Sequence, residues 1–282
     1  MSEPRAIFAA DPAAVLHRHG ALVARSWRQR AGAVAAPLLV LGFTGFALWQ
    51  LEISFAQFGS GLAELGKFTA LMIPPSTGGH LALFLRAMGE TLAIALLGTL
   101  IAAVLALPLG LLAAKNTTPS LLLRFAIRRV LDVIRGIDTL IWALVFVGVV
   151  GLGPFAGILA IAVADTGAFG KLFSEAIEAA PARERETVIA CGGSGWMGIR
   201  FGLVPLVLPV IAGQVLYFFE SNTRSATIIG IVGAGGIGLH LSEQIRVLEW
   251  QQAAFLILMV LVTVAVIDAI SRVLRQRLIG RR

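Results

Sequence analysis

The uncharged stretch TLIWALVFVGVVGLGPFAGILAIAVA, residues 139–164, decides how this chain is folded. It is either one long membrane span or two short spans joined by a tight turn. Gly151, Leu152, Gly153 and Pro154 sit at its middle, and a glycine-proline cluster of that kind is a turn signal. The two readings put every later loop on opposite sides of the membrane, so the Lys and Arg distribution chooses between them. With a hairpin, segments 1–32, 115–135, 171–200 and the tail from Arg272 share the cytoplasmic side. They carry nineteen basic residues, against Lys67, Arg86, Arg224 and Arg246 outside. A single span would leave twelve against eleven, so a hairpin is expected.

The rest of the chain has the same character. Its 282 residues are 57% hydrophobic and 14% charged, with a mean hydropathy of +0.87. That is more apolar surface than one soluble core can bury, so the solvent is a bilayer. Runs 33–51 and 91–114 reach the roughly 20 residues that cross about 30 Å of hydrocarbon. Runs 203–219 and 253–267 are shorter and are extended by their flanks. Together with the hairpin arms they predict an all-α polytopic transmembrane bundle of about six spans, with both termini in the cytoplasm. The basic segment ending at Arg30 is too long for a signal-peptide n-region, and the apolar run behind it outlasts a usual h-region, so 33–51 is read as an uncleaved span. Segment 52–83, with Pro74, Pro75 and Gly78-Gly79, is expected to be an extracytoplasmic loop with an interfacial helix. The expected organisation is 1–82 as amino-terminal segment, first span and loop, and 83–282 as a transmembrane domain with a cytoplasmic loop at 171–202. Two short spans fed by the amphipathic segment 121–135 resemble the broken helices of transporters.

Several chemistries are excluded. The net charge of +7 sits at the flanks of apolar runs, where it orients helices rather than gripping nucleic acid. Cys191 alone cannot form an intramolecular disulfide, and His17, His19, His80 and His240 are too scattered for a metal site. No phosphate loop of the G-x-x-x-x-G-K-[ST] type occurs, so any ATP is hydrolysed by a partner. Neither a catalytic triad nor a carboxylate pair is present: the chain reads as a non-enzyme without a cofactor. Gly233, Gly235 and Gly238 match G-x-G-x-x-G, but no acidic residue stands about 20 positions on and no βαβ unit surrounds them.

Two polar constellations remain. In 171–200, residues 173–180 form one helix candidate, Pro181 can start a second, and Gly192-Gly193-Ser194-Gly195 bends the chain before Pro205 enters the membrane. Such an element suits docking in a groove of a cytoplasmic partner, and a solvated inter-helix loop is the alternative. The spacing is specific: Glu186-Thr187-Val188, then Gly192, then Gly202-Leu203-Val204-Pro205 reproduces the EAA motif of ABC importer permeases. This loop is thereby similar to that family's coupling helix, which sits in a cleft of the ATPase subunit. That resemblance makes Glu186, Thr187, Val188, Gly192, Gly193 and Pro205 the ATPase-coupling residues. Thr187 and Val188 stand where the family has two alanines, and Gly202 and Val204 where it has isoleucine and leucine.

The second constellation is Glu220-Ser221-Asn222-Thr223-Arg224-Ser225-Ala226-Thr227 followed by the glycines. Dense glycine lets helices pack closely at membrane depth, assigning Gly233, Gly235, Gly236 and Gly238 to packing. Arg224 beside small hydroxyl residues offers donors for an anion, or pairs with Glu220 one helical turn back. Glu220, Asn222, Arg224, Ser225 and Thr227 are therefore the candidate substrate or gate residues. Glu90, Thr91, Asp165 and Asp268 are expected near membrane interfaces, capping helix ends or solvated.

This string, with 151–157 and 171–179, resembles the phosphonate subgroup of ABC importer permeases in particular, and the likeness covers roughly 83–273. It implies the type I importer fold. It also implies a dimer, expected to be of identical permeases, with two ATPase subunits and an extracytoplasmic phosphonate-binding protein. The cargo implied is a phosphonate, phosphite or hypophosphite. The alternatives are an importer permease for another small solute, or a secondary transporter with embedded proton or sodium sites.

Overall fold

Gly151 and Gly153, with φ of +90° and +135°, occupy backbone regions closed to most side chains, and Pro154 fits the first turn of a helix. The chain therefore breaks where the turn is predicted. In the computed structural model, which describes residues 27–51 and 55–279, the described residues contain helices and no strand. They are α1 (Trp27–Gln50), α2 (Phe55–Leu71), α3 (Leu81–Ala113), α4 (Leu121–Arg135), α5 (Thr139–Val150), α6 (Pro154–Ala179) and α7 (Ala182–Ala190). A turn and a π-helical segment (Gly198–Leu203) lead into α8 (Val204–Ile231), followed by α9 (Ile237–Arg246) and α10 (Trp250–Ile279).

Five helical stretches are long and apolar enough to cross a membrane, and counting α4 with α5, bent by 84° at 136–138, as one broken span makes six. The all-α bundle of about six spans is borne out. Arg5, Arg18, Arg25, Arg281 and Arg282, which enter the charge count, lie outside the described residues. The chain divides into two compact units after Lys67. In the first, α1 exposes Leu39, Phe43 and Trp49, as suits a helix surrounded by lipid.

Three boundaries correct the sequence reading. The second hairpin arm is not short: α6 runs 26 residues, through Asp165, Lys171 and the segment 173–180 expected as a separate helix. Its charges do not end it because they find partners, Asp165 on α8 and Lys171 at Asp132 of α4, 3.7 Å away. Likewise α8 does not stop at Phe219 but continues to Ile231, so Arg224 lies inside a helix and not in a loop. The third correction is at α3, which starts at Leu81 and leaves Glu90 and Thr91 well inside the helix. Between the glycine segment and the last span stands α9.

The core of the second unit is α3 against α6. Gly98 approaches Ile161 so closely that a Cβ on the glycine would stand 2.7 Å from the isoleucine Cβ, and Gly110 meets Phe173 in the same way at 2.8 Å. On α6, Gly167 and Gly170 admit the end of α4, with Leu131 lying on Gly170. Close approach through small residues is how helices associate where lipid offers no hydrophobic drive. Phe169, Phe173 and Ile177 then pack with Leu203, Val207 and Ile211 of the following segment.

Candidate functional site

Helix α7 begins after Pro181 and ends in a Schellman motif. Gly192 takes φ +89°, its N–H donates to the Ile189 carbonyl at 2.9 Å, and the Gly193 N–H donates to the Val188 carbonyl at 3.0 Å. Glycine at 192 is needed for the left-handed turn. Gly193 is needed for space, since a Cβ there would stand 2.7 Å from the Val188 carbonyl oxygen. No residue of α7 is buried, and Glu186 and Thr187 lie on its exposed surface, Thr187 donating back to the Arg183 carbonyl at 2.8 Å. Held at its end, α7 is a short helix that presents most of its length to solvent.

Its other side is seated on the π-helical segment. Cβ atoms on Gly198 and Gly202 would meet Arg185 and the Glu184 carbonyl at 3.1 and 2.8 Å, so these two glycines form the bed of α7. Pro205 follows in the first turn of α8, where a missing N–H costs nothing. Arg185 reaches from α7 to the Asn116 carbonyl, and Asn116 donates to the Ile177 and Glu178 carbonyls at 3.2 and 3.3 Å. Glu178 in turn accepts from the Lys115 N–H at 2.7 Å and pairs with Arg128, whose Nε donates to the Ala113 carbonyl at 2.9 Å. One knot thus ties α7 to the ends of α3 and α6 and to the middle of α4. Sequence reasoning treats these four side chains only as loop charges and polar flank, because their partners are 15 to 69 positions away.

The candidates on α8 separate by face. Asn222 points into the bundle, where its amide donates to Thr99 of α3 at 2.8 Å and to the Asp165 carboxyl of α6, while Thr99 donates to the Ala95 carbonyl. All three are buried. Asp165 is therefore neither a helix-end cap nor solvated, as the sequence suggests, but joins three helices in mid-helix. Thr227 is buried too and bonds the Thr223 carbonyl at 3.3 Å; Ser225 bonds the Ser221 carbonyl at 3.4 Å. Glu220 and Arg224 do pair, at 3.3 Å. The same carboxylate also accepts Arg275 of α10 at 3.1 Å, a partner no spacing rule reveals across 55 positions.

Gly233, Gly235 and Gly236 all take positive φ in a buried loop between α8 and α9. The Gly233 carbonyl accepts the Gly153 N–H at 2.9 Å, Glu90 accepts the Gly236 N–H and Thr91 the Ile237 N–H, both at 2.8 Å. Glu90 and Thr91 thus cap a helix end, that of α9, where a carboxylate suits the positive end of the dipole. Gly238 lies against Gly230 and the Thr227 carbonyl, which leaves no room for a side chain. The glycine segment is a packed joint between α3, the α5–α6 turn and α8.

Residues 106–280 match the family described as "Binding-protein-dependent transport system inner membrane component". HtxC of Stutzerimonas stutzeri, named as a phosphite transport system permease protein, is 40% identical over 253 residues, 90% of this chain and 89% of its own. PtxC of the same organism, a phosphite transport system permease protein, is 34% identical over 251 residues, 89% of this chain and 90% of its own. Among solved structures, the inward-facing MetNI methionine ABC transporter superimposes with a TM-score of 0.62 at 19% identity, over 72% of this chain and 99% of that one, a likeness of fold.

Proposed function

Since the chain belongs to the binding-protein-dependent transport system inner membrane component family, we propose that it is the membrane-spanning permease of an ATP-driven importer for phosphite, phosphonate or a related phosphorus oxyanion. The likeness over nine-tenths of the chain to HtxC carries the choice of cargo. The exposed, end-locked α7 carries the mode of drive. A second permease copy completes the pathway, two ATPase subunits receive the two α7 helices, and an extracytoplasmic binding protein delivers the anion. ATP hydrolysis belongs to those subunits. With α7 cytoplasmic, both termini are cytoplasmic as well.

Closure of the ATPase pair pushes α7. The push reaches α8 through the bed of Gly198 and Gly202, and reaches α3 and α6 through Arg185 and Asn116. The bundle switches because the ATPases bind its two states with different affinity, not because they touch it. In the pathway, Arg224 offers forked donors that suit an oxyanion better than a point charge does. Its side chain is 48% exposed although one nitrogen holds Glu220.

Affinity purification of the tagged chain from its native membrane is expected to bring down an ATP-hydrolysing subunit. Cysteine cross-links from Glu186→Cys are expected to reach that subunit, which also fixes α7 as cytoplasmic. Cross-linking of position 186 only to extracytoplasmic proteins would contradict both the partner and the orientation.

A further inference from the structure

The exposed face of α8 carries a polar track that extends the string 220–227 toward the start of the helix through Gln214 and Tyr217. Gln214, Tyr217, Ser221 and Arg224 recur at spacings of three, four and three, which at 3.6 residues per turn puts them on one side of the helix. Tyr217 is 51% exposed and Ile228, next along the same side, 54%, whereas Asn222, Thr223, Ala226 and Ile229 on the other sides are buried. A lipid-facing helix has no use for four polar groups in a line, and such residues mark substrate paths.

Two further observations give the track a ligand chemistry. The Gln214 Oε1 atom is buried without a hydrogen-bond partner among the described residues, and Gln214, Tyr217 and Arg275 turn their apolar parts, with Leu172, Val210 and Phe218, to a cavity of about 380 Å³. A buried polar atom of this kind has room for a donor from water or from a ligand. Arg275 from α10 lies over the Tyr217 ring at 5.8 Å and shares Glu220 with Arg224. Two guanidinium groups against one carboxylate leave this stretch with one uncompensated positive charge.

We propose that Gln214, Tyr217, Ser221, Arg224 and Arg275 form an anion track along α8, in which a phosphorus oxyanion takes the two guanidinium groups in turn while Glu220 keeps each from holding it too tightly. The proposal rests on the functional reading above. It moves the cargo-facing role away from Asn222 and Thr227, which are packed inside the bundle, and adds Arg275 from a second helix.

The test uses the full chain assembled with its ATPase and binding protein in proteoliposomes. Single cysteines at Gln214, Tyr217 and Ser221, and at the buried Thr223 and Ala226 for comparison, are treated with a charged thiol reagent. The adduct is located by peptide mass spectrometry, so the native Cys191 stays in place. Labelling is expected at the three track positions and not at the two others, slowed several-fold by millimolar phosphite. Arg275→Gln is expected to lower phosphite uptake per complex about tenfold or more, as loss of a charged hydrogen-bonding partner does, with Arg275→Lys between it and the unsubstituted protein. A complex that imports phosphite but shows no such periodic labelling, or keeps full uptake with Arg275→Gln, overturns the track alone. Absence of phosphorus-oxyanion uptake by the unsubstituted complex overturns the functional reading, and the ligand of the track with it.

Discussion

Replacing Gly192 by proline is expected to abolish ATP-driven uptake while the protein stays inserted in the membrane. Gly192 holds φ +89°, and proline is fixed near −65°, so the Schellman turn cannot form. Proline also deletes the N–H that the Ile189 carbonyl accepts, and the following Gly193 to Val188 bond is lost with the turn. A proline at a site it cannot fit costs about 3 kcal/mol or more, which is enough to unfold the end of a nine-residue helix with no buried residue of its own. The spans, packed through α3 and α6, do not depend on that turn. Gly192→Ala, strained by about 1–2 kcal/mol in the left-handed region, is expected to lie between. The measurement is substrate-stimulated ATPase activity and uptake per inserted complex. Normal values for the proline variant would show that α7 is a surface loop and not the coupling element.

Asn222→Leu is expected to cost the greatest share of folded protein among the α8 positions. Its amide donates to both Thr99 and Asp165, so the leucine leaves a buried carboxyl and a buried hydroxyl each without its donor. An unsatisfied buried polar group costs about 1–3 kcal/mol, more for a charged one, so a fall of at least about 2 kcal/mol in stability is expected. The double change Asp165→Leu with Asn222→Leu removes both ends of the bond and is expected to recover much of the loss, since replacing both partners by apolar groups is close to neutral. Thermal unfolding of the purified variants in detergent decides it. Equal stability of the single variant and the unsubstituted protein would mean that the three-helix polar joint does not hold the bundle together.

The break at Gly151 and Gly153 is legible because it depends on local backbone geometry: positive φ and a following proline. The same holds for Gly192 and Pro181 around α7, where punctuation residues act within a turn of themselves. Helix lengths are less legible. Asp165, Lys171, Glu220 and Arg224 read as the ends of apolar runs, yet each is held inside a helix by a partner on another helix or one turn away. Hydropathy sees the cost of a buried charge and not the group that offsets it. Arg275 is the extreme case. It reads as part of a basic tail, and only the crossing of α10 over α8 brings it to Glu220. Glu90 and Thr91 show the intermediate case, a capping role visible in their chemistry but for a helix nearly 150 positions away.

The central claim is that this chain carries a phosphorus oxyanion only when an ATPase drives it through α7. It is tested most directly by labelled phosphite uptake into proteoliposomes holding the chain and its ATPase, with the binding protein supplied on the extracytoplasmic side. Accumulation is expected only with ATP on the α7 side, to be lost when the binding protein is withheld, and to persist when proton and sodium gradients are collapsed. Uptake that needs a gradient but neither ATP nor the binding protein would contradict the account and make the chain a secondary transporter.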